Sequence, residues 1–185
     1  PESPQMAAAR PEPIRLTNLI PGGDCGYQIA PGVRQEALNG LTLGFPHPDL
    51  LVGGTTAEEA AVYRLNEHQV LVATTDLFRP IVDDPIDFGR IAATNALSDV
   101  YAMGATPILA LAIVGLPINI LPLEVIRRIM QGGADVCRQA GIPLTGGHAI
   151  DFPEPIYGLA VMGLATPRAI KRNDTAQAGD LLILG

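Results

Sequence analysis

The chain is poor in positive charge and poorest in lysine. Among its 12 basic residues Lys171 is the single lysine, against 19 acidic residues, and the formal net charge is −7. A nucleic-acid surface needs a clustered basic footprint, so that class of partner is excluded. Cysteine is scarce too. Cys25 and Cys137 are the whole complement, too few for a disulfide framework, and a reducing cytoplasm is the expected setting. No apolar run is long enough, and free enough of Gly, Pro and charge, to span a bilayer, so no membrane association is expected. The opening residues also lack the basic cap and apolar block of a secretory signal.

What is present describes a folded, rather apolar domain. At 185 residues, 48% hydrophobic and with a mean hydropathy of +0.26, the chain can build one sizeable core. Its acidity sets a condition on any nucleotide site. A polyphosphate among these carboxylates would need metal ions to screen the repulsion.

The stretch 74–104 organises the rest. An apolar strand, Val70 to Thr75, delivers Asp76 at its end. A polar loop then closes on Asp84 and Pro85, an N-cap followed by proline at the first helical position. The spacing predicts a helix from Pro85 to about Met103, stopped by Gly104 with Pro107 beyond. At 100° per residue Thr94, Asn95, Ser98 and Asp99 share a stripe about 140° wide, and Ala93, Ala96, Leu97, Val100 and Met103 fill the opposite side. Short oxygen-bearing side chains suit a wall facing a hydrated cation or a polyphosphate. Capping and helix–helix hydrogen bonding are the bland alternative.

Upstream, residues 1–13 are rich in Pro and Ala and read as a disordered leader. Cys25 follows Gly22-Gly23-Asp24 in a loop without apolar periodicity, which favours an accessible, nucleophilic thiol over a buried one. The neutral Gln28 on the same loop brings no cation to activate it. A short helix is expected within residues 32–43 and a turn over 44–49. The loop Gly53 to Glu59 ends in two carboxylates, Glu58 and Glu59, a candidate metal-ligand edge or a plain turn. Residues 60–65 and 70–75 form a predicted hairpin around Asn66-Glu67-His68.

Downstream come a strand over 108–114 and a helix from Pro122 to about Ala140. In that helix Leu123, Ile126, Met130, Gly133 and Cys137 form a predicted buried stripe. Residues 144–151 run through Gly146-Gly147-His148, a turn where backbone N–H groups could approach a phosphate. Strands over 157–164 and 181–184 complete the set. The alternation predicts a mixed α/β domain with a mixed sheet and both helices on one face. The other face is left apolar, and burial against a second copy, a homodimer, is the expected remedy.

These motifs together resemble the N-terminal, ATP-binding half of selenophosphate synthetase, over about Leu16 to Leu184. Asn95-Ala-Leu-Ser-Asp-Val-Tyr-Ala-Met-Gly104 marks the wider superfamily that includes aminoimidazole ribonucleotide synthetase and thiamine monophosphate kinase. More specific are Thr74-Thr-Asp-Leu-Phe with Pro80-Ile-Val-Asp-Asp-Pro, Gly146-Gly-His-Ala-Ile-Asp, and Pro153-Glu-Pro-Ile-Tyr-Gly-Leu-Ala-Val. The resemblance implies a flexible segment over 14–49 carrying the catalytic cysteine, then an ATP-binding domain over 50–185. On this resemblance, the family's C-terminal domain is expected to be absent from these 185 residues.

In activity, it implies that ATP, selenide and water give selenophosphate, phosphate and AMP, with Mg²⁺ as cofactor. Asp76 and Asp99 match carboxylates that hold Mg²⁺ and the phosphates, Glu59 a further metal ligand. Thr56, Ala57 and Glu58 match a nucleotide-contacting turn, and Gly147, His148 and Ala149 a nucleotide-binding loop; Asn95 lies in the shared helix motif. Cys25 matches the catalytic cysteine or selenocysteine, and two such halves are expected to close a barrel across the dimer. Three departures stand out. Gln28 replaces a lysine, Tyr27 replaces a frequent cysteine, and Glu58-Glu59 replaces two aspartates. They leave two alternatives to the active synthetase: a degenerate relative that binds nucleotide or a partner, and a superfamily enzyme acting on another substrate.

Overall fold

The computed structural model describes residues 14–20, 31–38, 47–53, 60–181 and 183. Six strands and three α-helices form it: α1 (Pro31–Leu38), β1 (Leu50–Val52), β2 (Ala61–Arg64), β3 (Val70–Phe78), α2 (Pro85–Ala102), β4 (Thr106–Leu116), α3 (Leu123–Gln139), β5 (Leu144–Asp151) and β6 (Ile156–Ala165). The strands make one open mixed sheet in the order β1-β2-β3-β6-β4-β5.

The β2–β3 hairpin forms where the turn residues require it. Val62 pairs with Val72, and the His68 amide donates to the Asn66 side chain at 2.9 Å, leaving His68 exposed in the turn. β6 then inserts antiparallel between β3 and β4, and β5 lies parallel to β4. Strands β3, β4 and β5 therefore run the same way, joined by crossovers through α2 and α3. Both crossovers step in the same direction across the sheet. With right-handed connections that puts both helices on one face. Alternation along β6 agrees: Tyr157, Leu159 and Val161 are fully buried, whereas Ala160, Met162 and Leu164, on the helix-free face, are half-buried. That open face also carries Leu71, Leu111 and Ile113, and Leu77 at its end is 45% exposed.

α2 starts as its sequence demands. Asp84 caps it, its Oδ1 accepting from the amides of Ile86 at 2.8 Å and Asp87 at 3.0 Å, while its Oδ2 takes the Arg128 guanidinium of α3 at 2.8 Å. The apolar residues Ala93, Ala96, Leu97, Val100 and Met103 are buried as expected. Gly104, at φ +76°, ends the helix.

α3 is rotated from its expected stripe. Cys137 is buried, but Leu123 and Met130 are 62% and 43% exposed. The inward face instead follows Ile129, Gly132, Gly133 and Cys137, about 60° round the helix at 100° per residue. Backbone approach is the reason. A Cβ on Gly132 would sit 2.1 Å from the Ile86 carbonyl oxygen, and one on Gly89 only 2.0 Å from that of Ile129. Two helices this close need glycine at the crossing, and the crossing decides which side of α3 turns in. The Tyr157 hydroxyl ends under Gly133, buried with no hydrogen-bond partner among the described residues. Burial first, and the Cys137 thiol second, push that phenol above its ordinary range.

Two further expectations change. β3 runs on to Phe78, so Asp76 lies within the strand and not at its end. Leu181 and Ile183 are in no strand and are 88% and 92% exposed. The leader 1–13 and residues 39–46 lie outside the described residues.

Two stability outcomes follow. Replacing Asp84 by Ala should lower the unfolding free energy by about 1 kcal/mol in chemical denaturation. The Asp87 amide first, with the Ile86 amide and Arg128, holds the Asp84 carboxyl below its ordinary 3.8. Its contribution is therefore present above pH 3.8 and lost as the pH falls through the lower folded-state value. Gly132→Ala should cost more, about 1–3 kcal/mol, because backbone must move to admit the methyl group.

Candidate functional site

Strand period and helix period meet between β3 and α2. Thr74 and Asp76 lie two apart on β3, so both face the helix side of the sheet. Asn95 and Asp99 lie four apart on α2, one turn along one face. The helix runs antiparallel to the strand, and the four side chains pair as two rungs. Thr74 Oγ1 donates to Asp99 Oδ2 at 2.9 Å, and Asn95 Nδ2 donates to Asp76 Oδ2. Thr74 is buried, Asp76 and Asp99 are half-buried, and Asn95 is exposed.

The polar stripe of α2 is thus divided. Asn95 and Asp99 turn to β3. Thr94 and Ser98 line a different groove, about 410 Å³, with Tyr101 and with Val136, Gln139 and Ala140 of α3. Only half of the stripe serves the β3 site.

Backbone contacts position these rungs. Asp76 pairs with Leu159 of β6, beside Gly158, where a Cβ would lie 1.9 Å from the Asp76 carbonyl oxygen. Glycine there lets β6 press against β3. The same row continues across the sheet, Leu159 pairing with Ala112 of β4 and Ala112 with Gly147 of β5. Asp76 and Gly147 therefore share one level, three strand spacings or about 14 Å apart.

The glycine pair has its own local cause. β5 carries one residue more than β4 between the pairs Ala110↔Leu144 and Ala112↔Gly147, a bulge that absorbs Gly146 at φ +54° and Gly147 at φ +120°. A Cβ on Gly147 would stand 1.9 Å from the Ala112 carbonyl oxygen. The close approach that demands glycine is thus to the neighbouring strand. His148 pairs with Ile113 and Ala149 with Val114, which puts His148 on the helix-free face, opposite Asp76. Gly147, His148 and Ala149 are all exposed.

Asp76, Asn95 and Asp99 are therefore brought together, and Gly147, His148 and Ala149 stand apart at the far side of the sheet. Cys25, Gln28, Thr56, Ala57, Glu58 and Glu59 lie outside the described residues. Thr74 and Gly158 are participants that the motif reading passed over. For Thr74 the signal was available: it precedes Asp76 by one strand period.

Asp76 and Asp99 offer hard oxygen donors from facing elements. That set fits magnesium, which takes one or two carboxylates and completes its octahedron with phosphate and water. No group of three His, Cys, Asp or Glu residues gathers among the described residues, so the two carboxylates are not a full cage. No helix among them is long and apolar enough to cross a membrane.

With this geometry in view, comparison with known proteins assigns the class. Residues 57–165 match the AIR synthase related protein, N-terminal domain, and the chain belongs to that family. Within it, the sequence is most informative beside the selenide, water dikinases. It is 62% identical to that of Burkholderia orbicola over 181 residues, 98% of this chain and 51% of that protein. It is 62% identical to that of Dechloromonas aromatica over 174 residues, 94% and 50% of the two chains. The chain spans about half the length of these relatives. Among solved structures, thiamine-monophosphate kinase from Stenotrophomonas maltophilia is 26% identical, with a TM-score of 0.54 over 80% of this chain and 45% of that one. AaThiL, complexed with AMPPCP and TMP, is 25% identical with a TM-score of 0.55, over 65% and 39%.

The site assignment has a direct check. Asp99→Asn should weaken Mg-ATP binding by tenfold or more in calorimetry, because it alters a carboxylate on the rung. Asp83→Asn, off the rungs, should stay within about twofold. Indistinguishable affinities for the two variants would move the site elsewhere.

Proposed function

We propose that this chain is the Mg-ATP-binding half of a selenide, water dikinase, the enzyme that converts ATP, selenide and water to selenophosphate, phosphate and AMP. The observation that carries the reading is the 62% identity over 98% of the chain. The β3–α2 rungs support it, since they place two of the expected carboxylates on facing elements.

In this reading Asp76 and Asp99 hold magnesium with the nucleotide phosphates, and Glu59 completes the set. The bound metal supplies charge neutralisation on a chain whose net charge of −7 repels a bare polyphosphate. Asn95 and Thr74 orient the carboxylates, each taking one Oδ2 and directing the other oxygen. Gly147, His148 and Ala149, with Thr56, Ala57 and Glu58, contact the nucleotide. Cys25 supplies the reactive thiolate, and Gln28 donates a hydrogen bond to the phosphates. The helix-free face of the sheet buries its Leu and Ile side chains against a second copy, giving a homodimer whose sheets complete a barrel. A reducing cytoplasm suits the free thiol.

Gln28 motivates a second reading, a relative that binds nucleotide or a partner without full catalysis. A lysine at that place would neutralise charge developing in phosphoryl transfer, and loss of one such group costs about 10²–10³-fold in rate. Selenide-dependent AMP release by the full-length protein is the test. Slow turnover, raised at least tenfold by Gln28→Lys, is the expected result. A full-length protein that binds Mg-ATP but stays inactive with and without Gln28→Lys would favour the second reading.

A further inference from the structure

The inward row of β3 changes character where it meets the site. Val70, Val72, Thr74 and Asp76 alternate onto the helix side of the strand. Val70 and Val72 are fully buried, and the next place holds Thr74, 6% exposed. Valine has the shape of threonine without a hydroxyl to desolvate, so packing alone favours a third valine there. Among the described residues no other side chain of polar type is so buried, Tyr157 and Cys137 aside. The hydroxyl goes to Asp99 Oδ2, at 2.9 Å.

The two rungs are reciprocal. Thr74 on β3 donates to a carboxylate on α2, and Asn95 on α2 donates to a carboxylate on β3. Each carboxylate is therefore held from the opposite element, by a bond to one of its two oxygens. Such a bond makes the oxygens unequal. The accepting oxygen has shared its electron density with the donor, and the alignment of the bond holds the rotation of the group. A cation is then drawn to the other oxygen. Chelation by both would place it on their bisector, and turning the carboxylate to meet it there strains the rung.

Magnesium and calcium answer differently to that constraint. Magnesium takes an octahedron at about 2.0–2.1 Å and is satisfied by one oxygen from each carboxylate, with phosphate and water. Calcium takes six to eight oxygens at about 2.3–2.6 Å, and carboxylates used through both oxygens help it reach the higher numbers. Two aspartates as such do not discriminate between these ions. Two aspartates limited to one oxygen each leave calcium short of ligands.

We infer that Thr74 and Asn95 are specificity-determining residues for the metal: by holding one oxygen of Asp99 and one of Asp76, they restrict both carboxylates to single-oxygen coordination and so favour magnesium over calcium. The inference rests on the reading that Asp76 and Asp99 hold the metal of the nucleotide. It adds which ion they accept, and which neighbours make the choice.

The test uses the full-length protein and calorimetric titration with a non-hydrolysable ATP analogue saturated with magnesium or with calcium, which reads binding without turnover. Wild type should bind the magnesium complex at least about tenfold more tightly than the calcium complex. Asn95→Ala and Thr74→Val should each lower that preference threefold or more. Thr74→Ser, which returns the hydroxyl, should restore it to within twofold. Asn95 is exposed, so its replacement leaves the core intact and keeps the test decisive should Thr74→Val fail to fold. A preference unchanged in Asn95→Ala and in Thr74→Val, beside an Asp99→Asn that weakens both complexes, would overturn the inference alone. So would a wild type without preference, or a Thr74→Ser that behaves as Thr74→Val, since packing and not the hydroxyl would then be responsible. Wild-type affinity for both complexes in Asp76→Asn and Asp99→Asn would overturn the underlying reading and the inference with it.

Discussion

Everything the site can do depends on α2 lying antiparallel to β3 at hydrogen-bonding distance. A strand shows one side every second residue and a helix shows one face every fourth. Only when both repeats meet along one seam can Thr74 and Asp76 face Asp99 and Asn95 as two rungs. The seam in turn depends on the layers around it. Gly158 lets β6 come up behind Asp76, and Gly89 with Gly132 lets α3 press on α2 from the other side. Carboxylates held this way are partly dehydrated and already oriented, so the cation proposed to bind them would meet them with little further ordering.

The topology separates the working parts by face and by level. Two crossovers in the same direction put both helices above the sheet and leave the lower face to apolar side chains. Asp76 and Gly147 then share a row but lie about 14 Å apart, with His148 turned to the face without helices. In the proposed homodimer the two helix-free faces would meet, with Asp76 and Asp99 on the opposite, helix-bearing side of each sheet.

Much of this was legible in the residues, for stated reasons. The α2 cap was readable because Asp84 and Pro85 act within one turn, and the hairpin because its turn residues are local. The two crossover helices follow from the alternation; the antiparallel insertion of β6 between β3 and β4 was not read, because strand order is set by pairing between distant segments. The inward face of α3 was not legible. Its hydrophobic stripe includes Leu123 and Met130, which face out, since glycine contact with α2 outweighs the apolar count. The division of the α2 stripe was hidden for a similar reason: periodicity places four polar residues together, and the neighbouring elements decide that Thr94 and Ser98 face a separate groove. The Thr17–Asp83 contact joins residues 66 apart in the chain, which no local spacing can show.

The most direct measurement is anomalous diffraction from crystals of the full-length protein grown with manganese and a non-hydrolysable ATP analogue. Manganese stands in for magnesium and can be located by its own scattering. The account expects a peak coordinated by carboxylate oxygens of both Asp76 and Asp99, and by a phosphate oxygen of the nucleotide. A nucleotide seated elsewhere, or a metal that leaves both carboxylates paired only to Asn95 and Thr74, would contradict it.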